Sequence, residues 1–164
     1  MNGMGDIMKK TLCLYYTRTN TTKAVMEQLA EILGADIAEY TDGKDRSGFL
    51  GYISCCFAKA DRLKPGIFIK GGAKPEDYER VIIGMPVWAE GPCAVGRAFL
   101  AKYRDVLPKD VCFVVTHSGK NDYDKKIAQL DQYLASPQTA HISIRTKEND
   151  SIRDQVQAFA EKIR

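Results

Sequence analysis

The sequence predicts an α/β protein in which helices cover both faces of a doubly wound, five-stranded parallel sheet. Short apolar segments alternate with amphipathic helical segments five times, and this alternation is typical of a parallel sheet. The apolar segments lack a regular apolar/polar pattern, which indicates strands buried on both faces. The 164 residues contain no internal repeat or linker. We therefore expect a single domain over residues 1–164, with residues 1–8 frayed.

Composition narrows the class of protein. Apolar residues make up 45% of the chain and charged residues 27%, as in soluble globular proteins. No apolar run reaches the ~20 residues that a membrane-spanning helix needs, and the N-terminus lacks the apolar core of a secretory signal. A net charge of +3 is too small to indicate nucleic-acid binding. We expect a cytoplasmic protein with no membrane span and no nucleic-acid partner.

The five cysteines indicate neither a disulfide framework nor a metal site. Their number is odd, no Cys-x-x-Cys pair occurs and only two histidines accompany them, so reduced thiols are the simplest interpretation. Cys93 falls at a predicted helix start, where the helix dipole can lower a thiol pKa. We prefer the interpretation that it is a small packing residue.

The first half of the chain predicts two strands and two helices. Residues 10–16 are rich in strand-forming side chains, and a segment with helical spacing follows until Gly34 ends it. Residues 35–40 alternate as a second strand. The stretch 41–75 is rich in glycine, and its apolar centre predicts a short irregular helix over 49–58.

The second half repeats the pattern three times. Strands are predicted at 80–85, 111–116 and 139–144, followed by helices at 93–103, 127–134 and 152–163. Ligands of an open parallel sheet bind at the carboxyl ends of the strands. The candidate site therefore consists of the loops over residues 17–22, 86–92 and 117–122.

The first loop predicts a phosphate site. It carries four threonines together with Arg18 and Asn20, at a point where a helix N-terminus presents free N–H groups and a positive dipole end. Threonine hydroxyls would complete the set of donors around a phosphate monoester. The alternative is a simple N-cap turn, although one capping residue would suffice for that. The spacing matches neither a Walker loop nor a dinucleotide-binding glycine motif.

The other two loops predict a site for a flat aromatic ring. Trp88 is the only tryptophan and offers a stacking surface, although it could also pack beneath its own loop. The segment from His117 to Gly119 offers donors for the edge of the ring. His117 lacks an identified carboxylate partner, so an acid or base role for it has little support. A phosphate site beside an aromatic platform fits flavin mononucleotide (FMN).

Three segments, residues 16–23, 83–89 and 116–119, resemble the flavodoxin family, and the resemblance extends over nearly the whole chain. It implies a short-chain member with strand order 2-1-3-4-5 and noncovalently bound FMN. It also implies that Thr17, Thr19 and Thr22 contact the phosphate, that Trp88 stacks on the flavin, and that main-chain groups near N5 belong to Ala89, Glu90 and Gly91. The full predicted cofactor site is Thr17, Arg18, Thr19, Asn20, Thr21, Thr22, Pro86, Val87, Trp88, Ala89, Glu90, Gly91, His117, Ser118 and Gly119.

The chain departs from the family pattern in two respects. The usual phosphate-loop glycine is replaced by Asn20 and the usual asparagine by Thr21. Asparagine tolerates a left-handed backbone better than most residues, so we expect the loop shape to survive. Electron-carrying members are strongly acidic, whereas this chain has a net charge of +3.

Three functions remain open from the sequence. The first is an FMN-binding redox protein that transfers electrons between a reductase and an acceptor. The second is a flavin-dependent enzyme that oxidises NAD(P)H or reduces a quinone, which mild basicity favours because it accommodates an anionic reduced flavin. The third is a binding module that keeps the fold and has lost FMN. We favour the electron carrier over the stand-alone oxidoreductase.

Overall fold

The computed structural model describes residues 9–89, 91–147 and 149–164; the predicted frayed segment 1–8 and the predicted site residue Glu90 lie outside them. Its strands are β1 (Thr11–Tyr15), β2 (Asp36–Thr41), β3 (Phe68–Ile69), β4 (Arg80–Trp88), β5 (Gly91–Pro92), β6 (Asp110–His117) and β7 (Ala140–Arg145). Five of these strands run parallel in the spatial order β2-β1-β4-β6-β7. Counted along the chain, this is the order 2-1-3-4-5, so the predicted fold class is confirmed.

The two remaining strands are short antiparallel additions. β3 pairs with β2 through Tyr40 and Ile69 and extends that edge of the sheet. β5 turns back on the end of β4, where Trp88 pairs with Gly91. Each has two residues, too few to give a periodic pattern, which is why the sequence did not predict them.

Helices cover both faces, as predicted. They are α1 (Thr21–Leu33), α2 (Gly48–Phe57), α3 (Ala60–Leu63), α4 (Ala94–Tyr103), α5 (Asp124–Ala128) and α6 (Asn149–Ile163). Helices α1 and α6 pack on one face of the sheet. Helices α3, α4 and α5 pack on the other face.

Strand residues alternate between the two apolar layers. In β1, Leu12 and Leu14 belong to the α4 layer, whereas Cys13 and Tyr15 belong to the α1–α6 layer. All four side chains are buried, because helices cover both faces of the sheet. This two-sided burial explains why the strand segments show no apolar/polar alternation.

Two glycines determine where α1 ends and how closely it packs on the sheet. Gly34 ends the helix with a left-handed φ of 61°, as its glycine predicted. Gly84 in β4 lets α1 pack close to the sheet, because a Cβ at this position would lie 2.6 Å from the Met26 side chain. Helix α1 therefore lies close against β4.

Most predicted boundaries shift by only a few residues. The largest difference is the helix predicted over 127–134, which is the short α5 followed by a 3₁₀ turn at Gln129–Tyr133. Gln138 Nε2 donates a hydrogen bond to the carbonyl of Ile127 at this point. Among the described residues, no helix is long and apolar enough to cross a bilayer.

Candidate functional site

The three predicted loops meet at one edge of the sheet, because β1, β4 and β6 are neighbours and run in the same direction. They surround two adjoining clefts. The narrow cleft, about 150 Å³, lies between the loop over 17–22 and the end of β6. The wide cleft, about 310 Å³, lies between Trp88 and α2 and falls at the lower end of the range for small-molecule sites, ~300–1,000 Å³.

Most predicted site residues line one or both clefts. The narrow cleft is lined by Thr17, Arg18, Thr19, Thr21, Thr22, Pro86, Val87, Trp88, His117 and Ser118. The wide cleft is lined by Arg18, Val87, Trp88, Ala89, His117, Ser118 and Gly119. Asn20 and Gly91 line neither cleft, and they shape the backbone beside them.

The narrow cleft has the features of an anion site. Asn20 precedes α1 with a left-handed φ of 65°, which confirms the expected backbone conformation, and its side chain makes no cap hydrogen bond to the helix. The Asn20 side chain therefore does not occupy the backbone N–H groups in the first turn of α1. Thr17 Oγ1 is buried with no hydrogen-bond partner among the described residues. A buried hydroxyl without a partner costs about 1–3 kcal/mol, and a ligand oxygen would remove that cost.

Thr22 is held differently from its neighbours. Its hydroxyl lies 2.8 Å from that of Thr116 in β6, and both side chains are buried. Thr19 and Thr21 are exposed, with their hydroxyls 3.5 Å apart. The Thr22 hydroxyl therefore links α1 to β6 as well as facing the cleft. The sequence analysis missed Thr116, and its signal was a polar residue at the end of an otherwise apolar strand.

Trp88 is half-buried and lies between the two clefts. Tyr16 meets its ring edge-on, with centroids 5.5 Å apart, and the Arg46 guanidinium lies 5.3 Å from the ring centroid. Its Nε1 is buried with no partner among the described residues. The indole is thus supported from behind and still borders both clefts, so the stacking role remains available to it.

Arg46, which lies beside the site against Trp88, is the main residue that the sequence analysis missed. It forms a two-point ion pair with Asp42, at 2.7 and 2.6 Å, and the two side chains are 5% and 3% exposed. Burial alone would raise the pKa of the Asp42 carboxyl, but its hydrogen bonds and ion pair with Arg46 outweigh burial and lower it. The hydrogen bond to Asp42 raises the pKa of Arg46. A fixed cation therefore lies behind Trp88; opposite charges four positions apart were its only sequence signal.

Helix α2 forms a wall of the wide cleft that was also not predicted. Tyr52, Cys55 and Cys56 line the cleft. Arg18 connects this wall to the first loop, since its guanidinium lies 5.9 Å from the Tyr52 ring centroid and its Nη1 donates to the Arg46 carbonyl at 3.3 Å. Arg18 thus borders both clefts instead of pointing into solvent.

The third loop is stabilised by His117. Its Nδ1 lies 3.1 Å from the Gly119 carbonyl oxygen, a hydrogen bond that requires the proton on Nδ1. Its ring centroid lies 4.8 Å from that of Tyr123, which is buried. These contacts hold the loop against the wide cleft, where its main-chain groups can reach the edge of a ring.

The turn between β4 and β5 is conformationally constrained. Ala89 has a left-handed φ of 56°, which is unusual for a residue with a side chain. Cys93 N donates to the Pro86 carbonyl at 3.0 Å and closes the hairpin. Cys93 is fully buried, its sulfur accepts from Gly96 N, and burial raises the pKa of its thiol to about 12. The interpretation of Cys93 as a packing residue is therefore confirmed.

A larger groove lies elsewhere, at the open edge of β7. It measures about 740 Å³ and contains Asp122, Asp124, Asp131 and His141. Its lining also includes Lys162, but the three carboxylates oppose anion binding, and the lining residues do not include any of the loops at the ends of β1 and β4. The hydrogen-bond donors that suit a phosphate line the two smaller clefts, which are therefore the candidate site.

Comparisons with known proteins identify the fold. No protein-family model matches the chain, and no curated protein matches it. Among solved structures, the chain is similar to a Lactobacillus acidophilus flavoprotein in complex with FMN, at 21% identity and TM-score 0.63, covering 87% of this chain and 97% of that one. It is also similar to two-electron reduced Megasphaera elsdenii flavodoxin, at 10% identity and TM-score 0.54, covering 92% of this chain and 98% of that one. A third similar structure is an NADH:FMN oxidoreductase, at 12% identity and TM-score 0.58, covering 94% of this chain and 88% of that one. The chain therefore has the flavodoxin-like fold.

Proposed function

We propose that the chain binds FMN across the two clefts and acts as a flavin-dependent redox protein. The observation that carries this proposal is the buried Thr17 hydroxyl without a partner, beside the N-terminus of α1. A phosphate oxygen is the partner that this hydroxyl lacks. The wide cleft beside it is bordered by Trp88 and has room for a ring system. The FMN complex with the same fold supports this choice of ligand.

Each element of the site has a defined task in this proposal. The loop over 17–22 and the first turn of α1 bind the phosphate, with Arg18 adding a positive charge. Trp88 orients the ring from one side, and the loop from His117 to Gly119 donates hydrogen bonds to its edge. The Ala89 turn brings main-chain groups to the ring. Bound FMN would supply the electron chemistry, so no side chain needs to act as a nucleophile or base.

Electron transfer between protein partners is the specific role that we propose first. Among the described residues, no carboxylate pairs with His117, whose Nδ1 donates to the Gly119 carbonyl, so the site offers no acid–base pair that would favour an enzyme. Solved structures with this fold include both a flavodoxin and an NADH:FMN oxidoreductase. Anaerobic stopped-flow mixing of the FMN-loaded protein with NADH or NADPH separates the two roles. A carrier is reduced slowly by either nucleotide alone, whereas rapid direct reduction would establish the enzyme.

The enzyme remains the second candidate because of one observation. Two guanidinium groups lie near the proposed ring site: that of Arg18 borders the wide cleft, and that of Arg46 lies behind Trp88. Positive charge near the ring favours the anionic reduced flavin and anionic substrates. Asp42 compensates the charge of Arg46, so the positive charge in this argument comes mainly from Arg18.

The phosphate assignment is tested by Thr17→Val. This change removes the partnerless hydroxyl and keeps the side-chain volume, so we expect FMN affinity to fall roughly 10- to 100-fold, as for loss of one hydrogen bond to a charged group. Riboflavin, which has no phosphate, should lose much less. The measurement is fluorescence titration of the apoprotein with both ligands.

A matched control lies at the start of β1, the strand that precedes this loop. Thr11→Val removes a threonine hydroxyl that donates to the Lys9 carbonyl, and it should leave both affinities unchanged. Equal losses for FMN and riboflavin in Thr17→Val would contradict the phosphate assignment. A protein that binds neither ligand would support a fold that has lost its flavin.

A further inference from the structure

Helix α2 exposes an unusually large apolar surface. Five of its side chains form what we call the α2 apolar face: Phe49, Leu50, Tyr52, Ile53 and Phe57, which are 75%, 80%, 57%, 37% and 79% exposed. No charged residue occurs between residues 48 and 57. Water-soluble monomers rarely leave a contiguous apolar patch of this kind uncovered, and such patches mark interaction surfaces.

The orientation of α2 is fixed by its buried side. Gly51 packs directly on the backbone of Arg46, so close that a Cβ would clash with the Arg46 carbonyl. Cys55, one turn later, is buried as well. At about 100° per residue, the five exposed side chains cover an arc of about 160° on the opposite side. The helix therefore cannot turn its apolar face inward without losing its contact with Arg46.

The segments on either side of α2, residues 44–47 and 58–64, which we call its rim, carry a net positive charge on their exposed side chains. Lys44, Lys59, Arg62 and Lys64 are exposed next to α2 in sequence, against only Asp45 and Asp61 among the exposed acidic residues of the same stretch. An apolar face bordered by cations is the arrangement that amphipathic helices use at anionic lipid surfaces. A second copy of this chain would bring two rims of the same sign together, which opposes self-association through this face.

We propose that α2 docks the protein onto an anionic phospholipid surface. The five apolar side chains lie at the boundary between headgroups and acyl chains, and the rim cations contact the headgroups. Tyr52 also lines the wide cleft, so docking places the mouth of that cleft at the lipid surface. The proposal needs no bound flavin, and its test is therefore independent of the proposed function.

The test is co-sedimentation of the full chain with lipid vesicles. We expect binding to phosphatidylcholine vesicles that contain phosphatidylglycerol, little binding to phosphatidylcholine alone, and weaker binding at high salt. The double variant Leu50→Gln/Phe57→Gln should bind anionic vesicles at least about tenfold more weakly, because it removes two inserted side chains. The variant Lys59→Glu/Arg62→Glu should lose the preference for anionic lipid.

Matched controls use the same chemistry at distant sites. Val106→Gln changes another exposed apolar residue, and Lys109→Glu reverses an exposed lysine beside the N-terminal end of β6; both should bind vesicles like the unaltered protein. All the altered side chains are exposed, and circular dichroism checks that each variant is folded.

Three results would overturn the proposal. The first is that the unaltered protein does not sediment with either kind of vesicle at low salt, which would indicate that a protein partner covers the α2 apolar face instead. The second is vesicle binding that Leu50→Gln/Phe57→Gln does not weaken. The third is a dimer in analytical ultracentrifugation that this double variant converts to monomer, which would show that a second copy covers the face.

Discussion

At the scale of single residues, buried polar groups determine the character of the site. The Thr17 hydroxyl has no partner among the described residues, which suits a ligand oxygen. The Arg46 guanidinium, by contrast, donates two hydrogen bonds to the Asp42 carboxylate. The first residue was predicted from a motif. The second was not, because its contact with Trp88 joins segments that are distant in sequence.

The Asp42–Arg46 pair should behave as a buried ion pair. Arg46→Met leaves the Asp42 carboxylate buried without its cation, and we expect the free energy of unfolding to fall by roughly 3–5 kcal/mol. In Asp42→Leu/Arg46→Met both charges are removed, so most of that loss should be recovered. Urea unfolding of the three proteins measures this; a double variant no more stable than Arg46→Met would show that the pairing is not the cause.

At the scale of elements, α1 depends on a left-handed residue at its start. Asn20 has a φ of 65° and the helix begins at the next residue. The conformation was expected from the resemblance to flavodoxins, which place a glycine at this position, because asparagine tolerates a left-handed backbone better than most residues. The packing of α2 was not predictable in the same way. Its contact partner is the Arg46 backbone, and no periodic pattern records that contact.

The conformation of Asn20 gives a direct test. Asn20→Ala introduces a residue that disfavours φ above zero, and we expect a loss of about 1–2 kcal/mol in the free energy of unfolding. Asn20→Gly, which restores the flavodoxin-type residue, should keep the stability close to that of the unaltered protein. Thr21→Ala, one residue later inside the helix, is the control and should cost little. Thermal unfolding compares the three; equal losses for alanine and glycine at position 20 would contradict the backbone argument.

At the scale of the whole molecule, two carboxylates pair with cations at opposite ends of the sheet. Asp42 pairs with Arg46 beside the site, and Asp110 pairs with Lys9 and Arg80 at the opposite end of the sheet. Burial alone would raise the pKa of Asp110, but hydrogen bonds from Lys9, Thr139 and Arg80 outweigh burial and lower it. Both groups therefore bind protons less readily in the folded chain than in the unfolded chain.

This difference predicts the direction of acid unfolding. A lowered folded-state pKa means that the stabilisation is complete above the unfolded value of 3.8 and is lost as pH falls through the lower folded value. We expect the urea midpoint to be nearly flat at mildly acidic pH and to drop below about pH 4. Asp110→Asn should lower stability at neutral pH and make the drop smaller. A drop of unchanged size in that variant would exclude Asp110 as a contributor.

The sequence by itself determined the order of the five parallel strands, their burial and the three loops at their ends, because apolar periodicity and turn residues act over a few neighbouring positions. Only the tertiary structure decided what surrounds those loops. Arg46 lies behind Trp88, and Tyr52 faces Arg18, across separations of more than thirty residues. Such contacts depend on how helices and loops pack on the finished sheet, and packing over that distance leaves no local pattern along the chain.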